Sequence, residues 1–568
     1  MKAVYKEVGD TGRSMFLFYP KGPCRTAFKR CSITILRDED DEASVLRLLE
    51  NGLARLALDY DIILSFPNPK NGRWDYDFTV NTNDLALFPV FQEAAAHEEN
   101  RPALRHANGI PTYWEMMNAW HPMHDTRYVM GFGSGASMAC TLAACSPKHI
   151  AAVCSIGGQL CAQALQKAVY APMPVWLIGS DGETAAYFIK ANQAVKTGEG
   201  EHYRRFHNLV NPLQSVVEFQ DQYTVQTPDI QAVWKELFSR VRRPDTGKNG
   251  DCDPRMDFQT AGFETYLDDS RLDEVKKTPH TWFTHVPPSV LHEGKKVPLL
   301  IFMHGGSDNP AESAEISKFH ELGEQEGFIT VYPWATNKAQ WNNNLDKDEA
   351  DDVSFIVALI RYMRASYPVD PERVYLSGFS NGAAQAQVVG MLHPELIAAL
   401  CPIDTSWPGD TDRFEPNCYA DILPMNLAMK KKRQFDYKMP VWYTYGTKEV
   451  AYPVWKGRSQ QRQYDFWKEY NGIAIQPTPG KEAPHPCGCG VPGETKETIA
   501  PSQRHPHHFY EAHRFYTDDN KRQNLYNYVL MHDKGHDVAQ MDPALGWRYV
   551  RQFRRLPDGG LEWTAPNE

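Results

Sequence analysis

The sequence lacks any long apolar segment. Its 568 residues contain no run of about 18 apolar residues, the length that a membrane-spanning helix needs. The first residues, MKAVYKEVGDTGRSMFLF, also lack the apolar core of roughly 7–15 residues that a secretory signal contains. We therefore expect a cytoplasmic protein that does not enter a membrane.

Signatures of nucleic-acid binding and of a disulfide framework are missing as well. The formal net charge is −11, and no Lys/Arg-rich stripe is long enough to follow a phosphate backbone. The 11 cysteines are odd in number, and Cys140, Cys145 and Cys154 lie in apolar runs. We expect no nucleic-acid partner and a reducing compartment.

What the sequence does contain is an internal repeat. A chain this long exceeds one ordinary hydrophobic core. Four pairs of similar segments occur in the same order in its two halves: 66–74 and 332–341, 82–88 and 350–356, 128–137 and 374–384, and 172–187 and 438–453. A stretch rich in Gly, Pro and charge, 241–254, separates the halves. The repeat predicts two domains of one kind, 1–245 and 255–568.

Apolar runs alternate with helical patterns in the second half. The segments 297–304, 327–333 and 373–379 are typical of buried strands. The segment 351–367 has apolar residues at helical spacing and acidic residues at its start. Strands separated by helices predict the α/β class, with a mostly parallel sheet flanked by helices.

A G-x-S-x-G string lies where one predicted strand passes into a helix. Gly378-Phe379-Ser380-Asn381-Gly382 follows RVYLSGF and begins a helical segment. At such a junction the string is the nucleophile elbow of the α/β-hydrolase fold, which exposes the serine hydroxyl above the sheet. We predict tandem α/β-hydrolase domains, with Ser380 as the nucleophile.

A serine nucleophile needs a base and an acid, which follow it in the order acid, then histidine. His536 lies after a strand and a Gly-containing loop, and we prefer it to His532, which directly follows the strand. Glu449 lies in the loop GTKEV after a buried strand, and Asp404, after LIAALCPI, is the alternative acid.

The loop His304-Gly305-Gly306-Ser307 directly follows an early strand. Backbone N–H groups in such a loop, together with the N–H after the nucleophile, can bind the oxyanion of acyl transfer. We predict the oxyanion donors to be Gly306 or Ser307, and Asn381.

Two further features have less specific patterns. Trp334 and Trp341 follow the second strand, where they either pack in the core or stack on a substrate ring. The His/Cys-containing segments 485–490 and 504–513 lack the paired spacing of a zinc site, so we expect no metal. Together with 405–437, the insertion 475–515 is long enough to overhang the site.

The second half resembles polyhydroxybutyrate depolymerases and feruloyl or acetylxylan esterases over roughly 280–556. The strings HGGSDNP, YPVDPERVYLSGFSNGAA, GTKEVAYPV and KGHDVAQMDPALGWRYVRQFRR carry this similarity. The resemblance implies a triad of Ser380, Glu449 and His536, with Glu449 where the family usually has Asp. It also implies ester substrates and no metal or organic cofactor.

The first half keeps the pattern without the chemistry. Its elbow reads Gly131-Phe132-Gly133-Ser134-Gly135, with glycine at the nucleophile position. Arg37-Asp38-Glu39 replaces the glycine loop, and its acidic side chains would oppose an oxyanion. We expect a degenerate, non-catalytic copy that stabilises the enzyme, dimerises or shapes access to the site.

The sequence therefore predicts a serine ester hydrolase that acts through an acyl-enzyme on small or oligomeric hydroxyacyl, feruloyl or acetyl esters. Two alternatives stay open. The same triad cleaves amides in serine peptidases, and a hydrolase-like chain can also serve as a non-catalytic binding or scaffold protein.

Overall fold

The computed structural model describes most of the chain, as two compact units. The described residues are 3–20, 27–95, 124–219, 230–275, 277–405, 435–449, 458–474 and 494–564. The first unit ends at Met256 and the second begins at Asp257.

The first unit is built on a ten-stranded sheet. Its strands are β1 (Val4–Glu7), β2 (Ser14–Phe18), β3 (Ser32–Leu36), β4 (Ile63–Pro67), β5 (Arg127–Phe132), β6 (Ala152–Ile156), β7 (Val175–Ile178), β8 (Val195–Glu199), β9 (Tyr203–His207) and β10 (Ser215–Phe219). A separate two-stranded ladder is formed by β11 (Val241–Arg242) and β12 (Asp253–Pro254). The described helices are α1 (Glu42–Leu48), α2 (Ala54–Tyr60), α3 (Asp84–Ala95), α4 (Ser134–Cys145), α5 (Ala162–Lys167), α6 (Gly182–Ala191) and α7 (Ile230–Glu236).

The second unit has a ten-stranded sheet of its own. Its strands are β13 (Glu264–Asp269), β14 (His280–His285), β15 (Val297–Met303), β16 (Ile329–Pro333), β17 (Val369–Phe379), β18 (Ala399–Ile403), β19 (Val441–Gly446), β20 (Thr495–Ile499), β21 (Tyr510–Tyr516) and β22 (Asn524–Met531). A hairpin follows, of β23 (Phe553–Arg555) and β24 (Leu561–Trp563). The described helices are α8 (Pro288–Glu293), α9 (Pro310–Ser317), α10 (Phe319–Glu326), α11 (Asp352–Ser366), α12 (Asn381–Leu392), α13 (Arg458–Asn471) and α14 (Met541–Val550).

The two sheets have the same strand order. The first runs β1-β2-β4-β3-β5-β6-β7-β10-β9-β8 and the second β13-β14-β16-β15-β17-β18-β19-β22-β21-β20. In each sheet the six central strands are parallel, and the two strands at either edge are antiparallel. The predicted tandem of mostly parallel α/β sheets is confirmed.

The strands and helices around the predicted elbow lie where the pattern of apolar residues predicts them. Strand β15 is buried from Pro298 onward, as expected for a parallel strand covered on both faces. Helix α11 begins after Asp351, whose carboxylate caps it by accepting the Ser354 N–H. Its core-facing residues recur at helical spacing: Phe355, Ile356, Leu359, Ile360 and Met363. The strand–helix alternation therefore follows from burial on both faces of the sheet.

Matching side chains fasten corresponding loops in the two units. The amide of Asn192 donates to and accepts from the backbone of Met173, at 2.7 and 2.8 Å. The amide of Asn471 does the same with Met439, at 2.8 Å in both directions. The two units thus share interactions as well as strand order.

The segment after residue 245 packs into the first unit. Strand β12 pairs with β11, and the Asn211 amide donates to the Cys252 carbonyl at 2.9 Å. Arg243 donates to the Gly250 carbonyl at 3.0 Å. The structured part of the first unit therefore extends about ten residues beyond the predicted limit at 245.

Among the described residues, no helix combines the length and the apolar character that crossing a membrane requires.

Candidate active site

The predicted elbow has the backbone of a strained turn. Ser380 lies between β17 and α12 with φ 54° and ψ −120°, a conformation that L-residues seldom adopt. A Cβ at Gly378 would lie 2.6 Å from the Gly382 backbone, and one at Gly382 would overlap the backbone of Met303. Both glycines are therefore required by close backbone approach, and the serine hydroxyl projects from the carboxyl end of the sheet.

Three predicted residues meet at this end of the sheet. The Nε2 atom of His536 lies 2.9 Å from the Ser380 Oγ, and its Nδ1 lies 2.5 Å from a Glu449 carboxylate oxygen. The serine and the glutamate are buried, whereas the imidazole is about a quarter exposed. When the carboxylate holds a proton on Nδ1, the unprotonated Nε2 can accept the serine proton.

Neighbouring strands bring the acid and the base together. Strands β19 and β22 pair in parallel, so the loops that carry Glu449 and His536 leave the sheet side by side. The Lys448 N–H donates to the Lys534 carbonyl at 2.9 Å and joins the two loops directly. The alternative base, His532, lies at the end of β22 with its ring against Phe509, and it does not contact the serine.

The alternative acid, Asp404, is also present at the site, in a buried ion-pair cluster. Lys534 lies 2.9 Å from a carboxylate oxygen of Asp404 and 2.9 Å from one of Asp542, and the side chains are fully buried. Burial raises the pKa of Asp404, whereas the ammonium group of Lys534 lowers that pKa and so favours the charged carboxylate. Burial alone would lower the pKa of Lys534, but its two carboxylate neighbours outweigh it and raise that pKa.

Sequence reasoning missed the part that Lys534 and Asp542 play in this cluster. Charged residues near the string KGHD look like ordinary surface residues in the sequence. The position of Lys534 two residues before the histidine was the available signal.

The loop after β15 is fixed by its own histidine. The Ala335 N–H donates to His304 Nε2 at 2.9 Å, so the ring proton resides on Nδ1, which donates to the Gly305 carbonyl at 2.5 Å. His304 is fully buried, and its neutral ring holds the glycine turn beside the elbow.

One predicted oxyanion donor is wrong. The Ser307 N–H donates to the Ala339 carbonyl at 2.7 Å, because Ser307 adopts φ 65° and turns its amide away from the elbow. Asn381 is the first residue of α12, and Gly306 lies in the turn before Ser307. These two residues stay the predicted oxyanion donors.

The two tryptophans predicted near the mouth of the site are buried. Trp334 donates to the Asp308 carbonyl at 3.0 Å, and Trp341 donates to the His304 carbonyl at 3.0 Å. They are 1% and 3% exposed. Both therefore brace the glycine loop, and contact with a substrate ring stays a prediction.

The first unit has the same elbow without its nucleophile. Gly133 adopts φ 58° and ψ −125°, close to the serine of the second unit. Asp38 accepts hydrogen bonds from the Ser134 hydroxyl at 2.6 Å and from the Ser134 N–H at 2.7 Å. A carboxylate therefore occupies the start of α4, whereas Ser380 makes no side-chain cap at the start of α12.

The histidine-rich segment of the second unit brings His505, His507 and His508 together, with one ring nitrogen of each within 4.8 Å of the others. The rings of His505 and His508 are parallel and stacked, with centroids 4.6 Å apart. The absence of a metal here stays a prediction. The other predicted cluster, 485–490, and most of the segments 405–437 and 475–493 lie outside the described residues.

A known family matches the part of the chain that carries the elbow. Residues 281–406 match the family model described as Esterase PHB depolymerase. The matched range includes Ser380 and the glycine loop, while Glu449 and His536 lie beyond it. The resemblance of the second half to this family is confirmed.

Curated relatives carry esterase names. The chain is 29% identical over 128 residues to poly(3-hydroxyalkanoate) depolymerase C of Paucimonas lemoignei, which covers 21% of the chain and 30% of that protein. It is 28% identical to feruloyl esterase B of Talaromyces funiculosus, over 18% of the chain and 31% of the relative. It is 24% identical to an acetylxylan esterase of Coprinopsis cinerea, over 28% and 47%. The chain thus spans less than half the length of each.

Solved structures with a related backbone include the acetyl xylan esterase from Aspergillus awamori, 15% identical, which covers 51% of the chain and 99% of that protein with a TM-score of 0.36. A ferulic acid esterase is 18% identical, over 37% of the chain and 84% of that structure, with a TM-score of 0.27.

Proposed function

We propose that the second unit is a serine hydrolase of carboxylic esters that acts through an acyl-enzyme. The observation that carries this proposal is the continuous hydrogen-bonded series from Ser380 through His536 to Glu449. The curated relatives named above, whose printed names are those of esterases, favour an ester over an amide as the substrate.

In the first step, the Ser380 oxygen attacks the ester carbonyl carbon while its proton passes to His536 Nε2. The electron pair of the C=O bond moves onto the carbonyl oxygen, which the N–H groups of Gly306 and Asn381 stabilise. The negative charge of Glu449 stabilises the imidazolium that forms.

Collapse of this intermediate breaks the bond to the alcohol, which leaves with the proton from His536 Nε2. The acyl group is now bonded to the Ser380 oxygen. Water then gives a proton to the same nitrogen, attacks the acyl carbon and releases the acid, and Ser380 regains its proton. The mechanism requires no group beyond these residues and water.

Replacement of the nucleophile tests the proposal. We expect Ser380→Ala to fold normally and to lose at least about 10³-fold in hydrolysis of p-nitrophenyl acyl esters, since the covalent step is lost. A fluorophosphonate probe should label Ser380 in the unaltered chain. An unlabelled Ser380, or a variant that keeps more than a few per cent of activity, contradicts the proposal.

A panel of acetyl, hydroxyacyl and feruloyl esters, with matched amides, identifies the acyl class. Faster cleavage of the amides would identify a peptidase instead.

We further propose that the catalytic domain is 255–568 and that the first domain is a degenerate, non-catalytic copy. Support comes from Gly133 at the nucleophile position and from the Asp38 carboxylate beside it. The same strand order in both units supports a common origin.

A further inference from the structure

A second buried carboxylate lies beside the proposed catalytic base. One oxygen of Asp404, one of Glu449 and a ring nitrogen of His536 lie within 4.8 Å of one another. Strands β18 and β19 are parallel neighbours, so the residues that follow them reach the same edge of the sheet. The imidazole therefore has two acidic neighbours, and one of them, Glu449, is hydrogen-bonded to it.

Donors from both catalytic loops hold Asp404 in place. The Gly446 N–H, at the start of the acid loop, donates to it at 2.8 Å. The Asp537 N–H, directly after the base, donates at 3.3 Å, and Lys534 lies at 2.9 Å. The Asp404 backbone adopts φ 43°, a left-handed conformation that directs the side chain into this cluster. The Asp404 carboxylate thus connects the loop that carries Glu449 with the loop that carries His536, and the distance between these loops determines the geometry of the triad.

The charged groups around Asp404 come from two loops and one helix of the second unit. Lys534 and His536 come from the loop after β22, Glu449 from the loop after β19, and Asp542 from α14. Lys534 is shared between two carboxylates, so it only partly neutralises Asp404. When the imidazole takes up the serine proton, its new positive charge faces both acids.

We propose that Asp404 is a positioning residue for His536, which fixes the base loop and adds a second negative charge that stabilises the imidazolium. This proposal rests on the serine hydrolase function given above. It explains why Asp404 is buried at this site although Glu449 already occupies the acid position. It also implies that Asp404 partly replaces Glu449 when that acid is lost.

A double-mutant cycle in the full-length protein tests this role. We expect Asp404→Asn to lower kcat about tenfold and Glu449→Gln to lower it about 10²-fold, each with little change in KM. The double variant should lose about tenfold more than the product of the two effects, because no acid then faces the imidazolium. Losses that simply multiply would overturn the proposed replacement of one acid by the other.

The pH profile separates this role from a merely structural one. Loss of a neighbouring negative charge makes the imidazolium less stable, so the acid limb of kcat/KM should move to lower pH in Asp404→Asn. Asp542→Asn breaks the other ion pair of Lys534 and is the matched control; because Asp542 is not one of the acids grouped with His536, its acid limb should move less than that of Asp404→Asn. An unshifted limb in Asp404→Asn, or an equal shift in both variants, would overturn the proposal.

Glu449→Gln gives a measurement that does not depend on the folding of Asp404→Asn. With Asp404 intact, it should keep at least about tenfold more activity than His536→Ala. Equal losses would show that Asp404 provides no support. Labelling of Ser380 by the fluorophosphonate probe reports on the hydrolase function independently, so failure of one proposal does not imply failure of the other.

Discussion

At the scale of single residues, one carboxylate distinguishes the two elbows. Asp38 accepts hydrogen bonds from the Ser134 and Gly135 N–H groups, at 2.7 and 3.2 Å. In the second unit, the residue that corresponds to Ser134 is Asn381, whose N–H we assign to the oxyanion. The first unit therefore lacks the proposed nucleophile, and its Asp38 side chain already occupies the N–H groups that correspond to the proposed oxyanion donors.

Restoring the missing hydroxyl should not restore chemistry. A Cβ at Gly133 would overlap the Asp38 carboxylate, so Gly133→Ser should destabilise the first unit and create no second active site. In a Ser380→Ala background, we expect a fluorophosphonate probe to leave the peptide that carries position 133 unlabelled. Asp38→Gly alone is the control for loss of the carboxylate. Labelling at position 133 in the single Gly133→Ser variant would contradict this explanation.

At the scale of elements, a tryptophan ties the loop after one strand to the loop after its neighbour. Trp341 donates from its ring to the His304 carbonyl, and its backbone N–H donates to the Asn381 side chain at 2.6 Å. In the first unit, Trp74 donates to the Arg37 carbonyl at 2.7 Å. A hydrogen bond from a tryptophan ring to this loop is thus present in both units. In the second unit it supports residues of the proposed site.

Trp341 and Trp74 offer a matched pair of variants. Trp341→Phe removes a buried hydrogen bond, which contributes about 1 kcal/mol, and loosens the glycine loop. We expect kcat to fall about tenfold with little change in KM, because the oxyanion donors act on the transition state. Trp74→Phe should lower stability similarly and leave activity unchanged. A loss in KM alone would instead point to direct substrate contact by Trp341.

The elements were largely predictable from the sequence, and the contacts between them were not. The period of buried residues predicts 351–367 as a helix, and the structure has Asp352–Ser366. The strand–helix junction at Ser380 was predictable because glycines and apolar runs specify it locally. The turn that directs the Ser307 N–H to Ala339 and the proximity of Asp404 to His536 depend on which strands are neighbours. The pattern of residues along one strand does not show which strands lie beside it.

At the scale of the whole molecule, each unit contains the parts of a complete domain. Arg243 donates to the carbonyls of Ile150, Gly250 and Pro172 in the first unit. Arg555 donates to Ile397, Gly559 and Lys438 in the second. These buried arginines fasten the last segment of each unit to its own sheet. Each unit also has hydrophobic core clusters made of its own residues.

Because each unit has a hydrophobic core of its own, we can ask whether the second unit needs the first in order to fold. Apolar strands such as CSITIL and MPVWLIG in the first half would need a partner surface if their own unit left them uncovered. In the structure β3 and β7 are buried at every position, and their residues belong to core clusters of the first unit. The apolar residues of these strands are therefore packed within their own unit, and we predict that the two units fold separately.

We accordingly predict that the fragment 257–568 is soluble and unfolds cooperatively, because it contains a complete hydrophobic core. It should hydrolyse p-nitrophenyl esters within about threefold of the full-length rate, because it also contains the whole proposed triad. The boundary matters, because a fragment that begins at 246 would carry β12 without its partner β11. Thermal unfolding and kcat/KM measured on 257–568, on 1–256 and on the full chain check the prediction. If 257–568 is insoluble or inactive while the full chain is active, the first unit contributes to the folding of the second. The first unit would then do more than complete its own sheet.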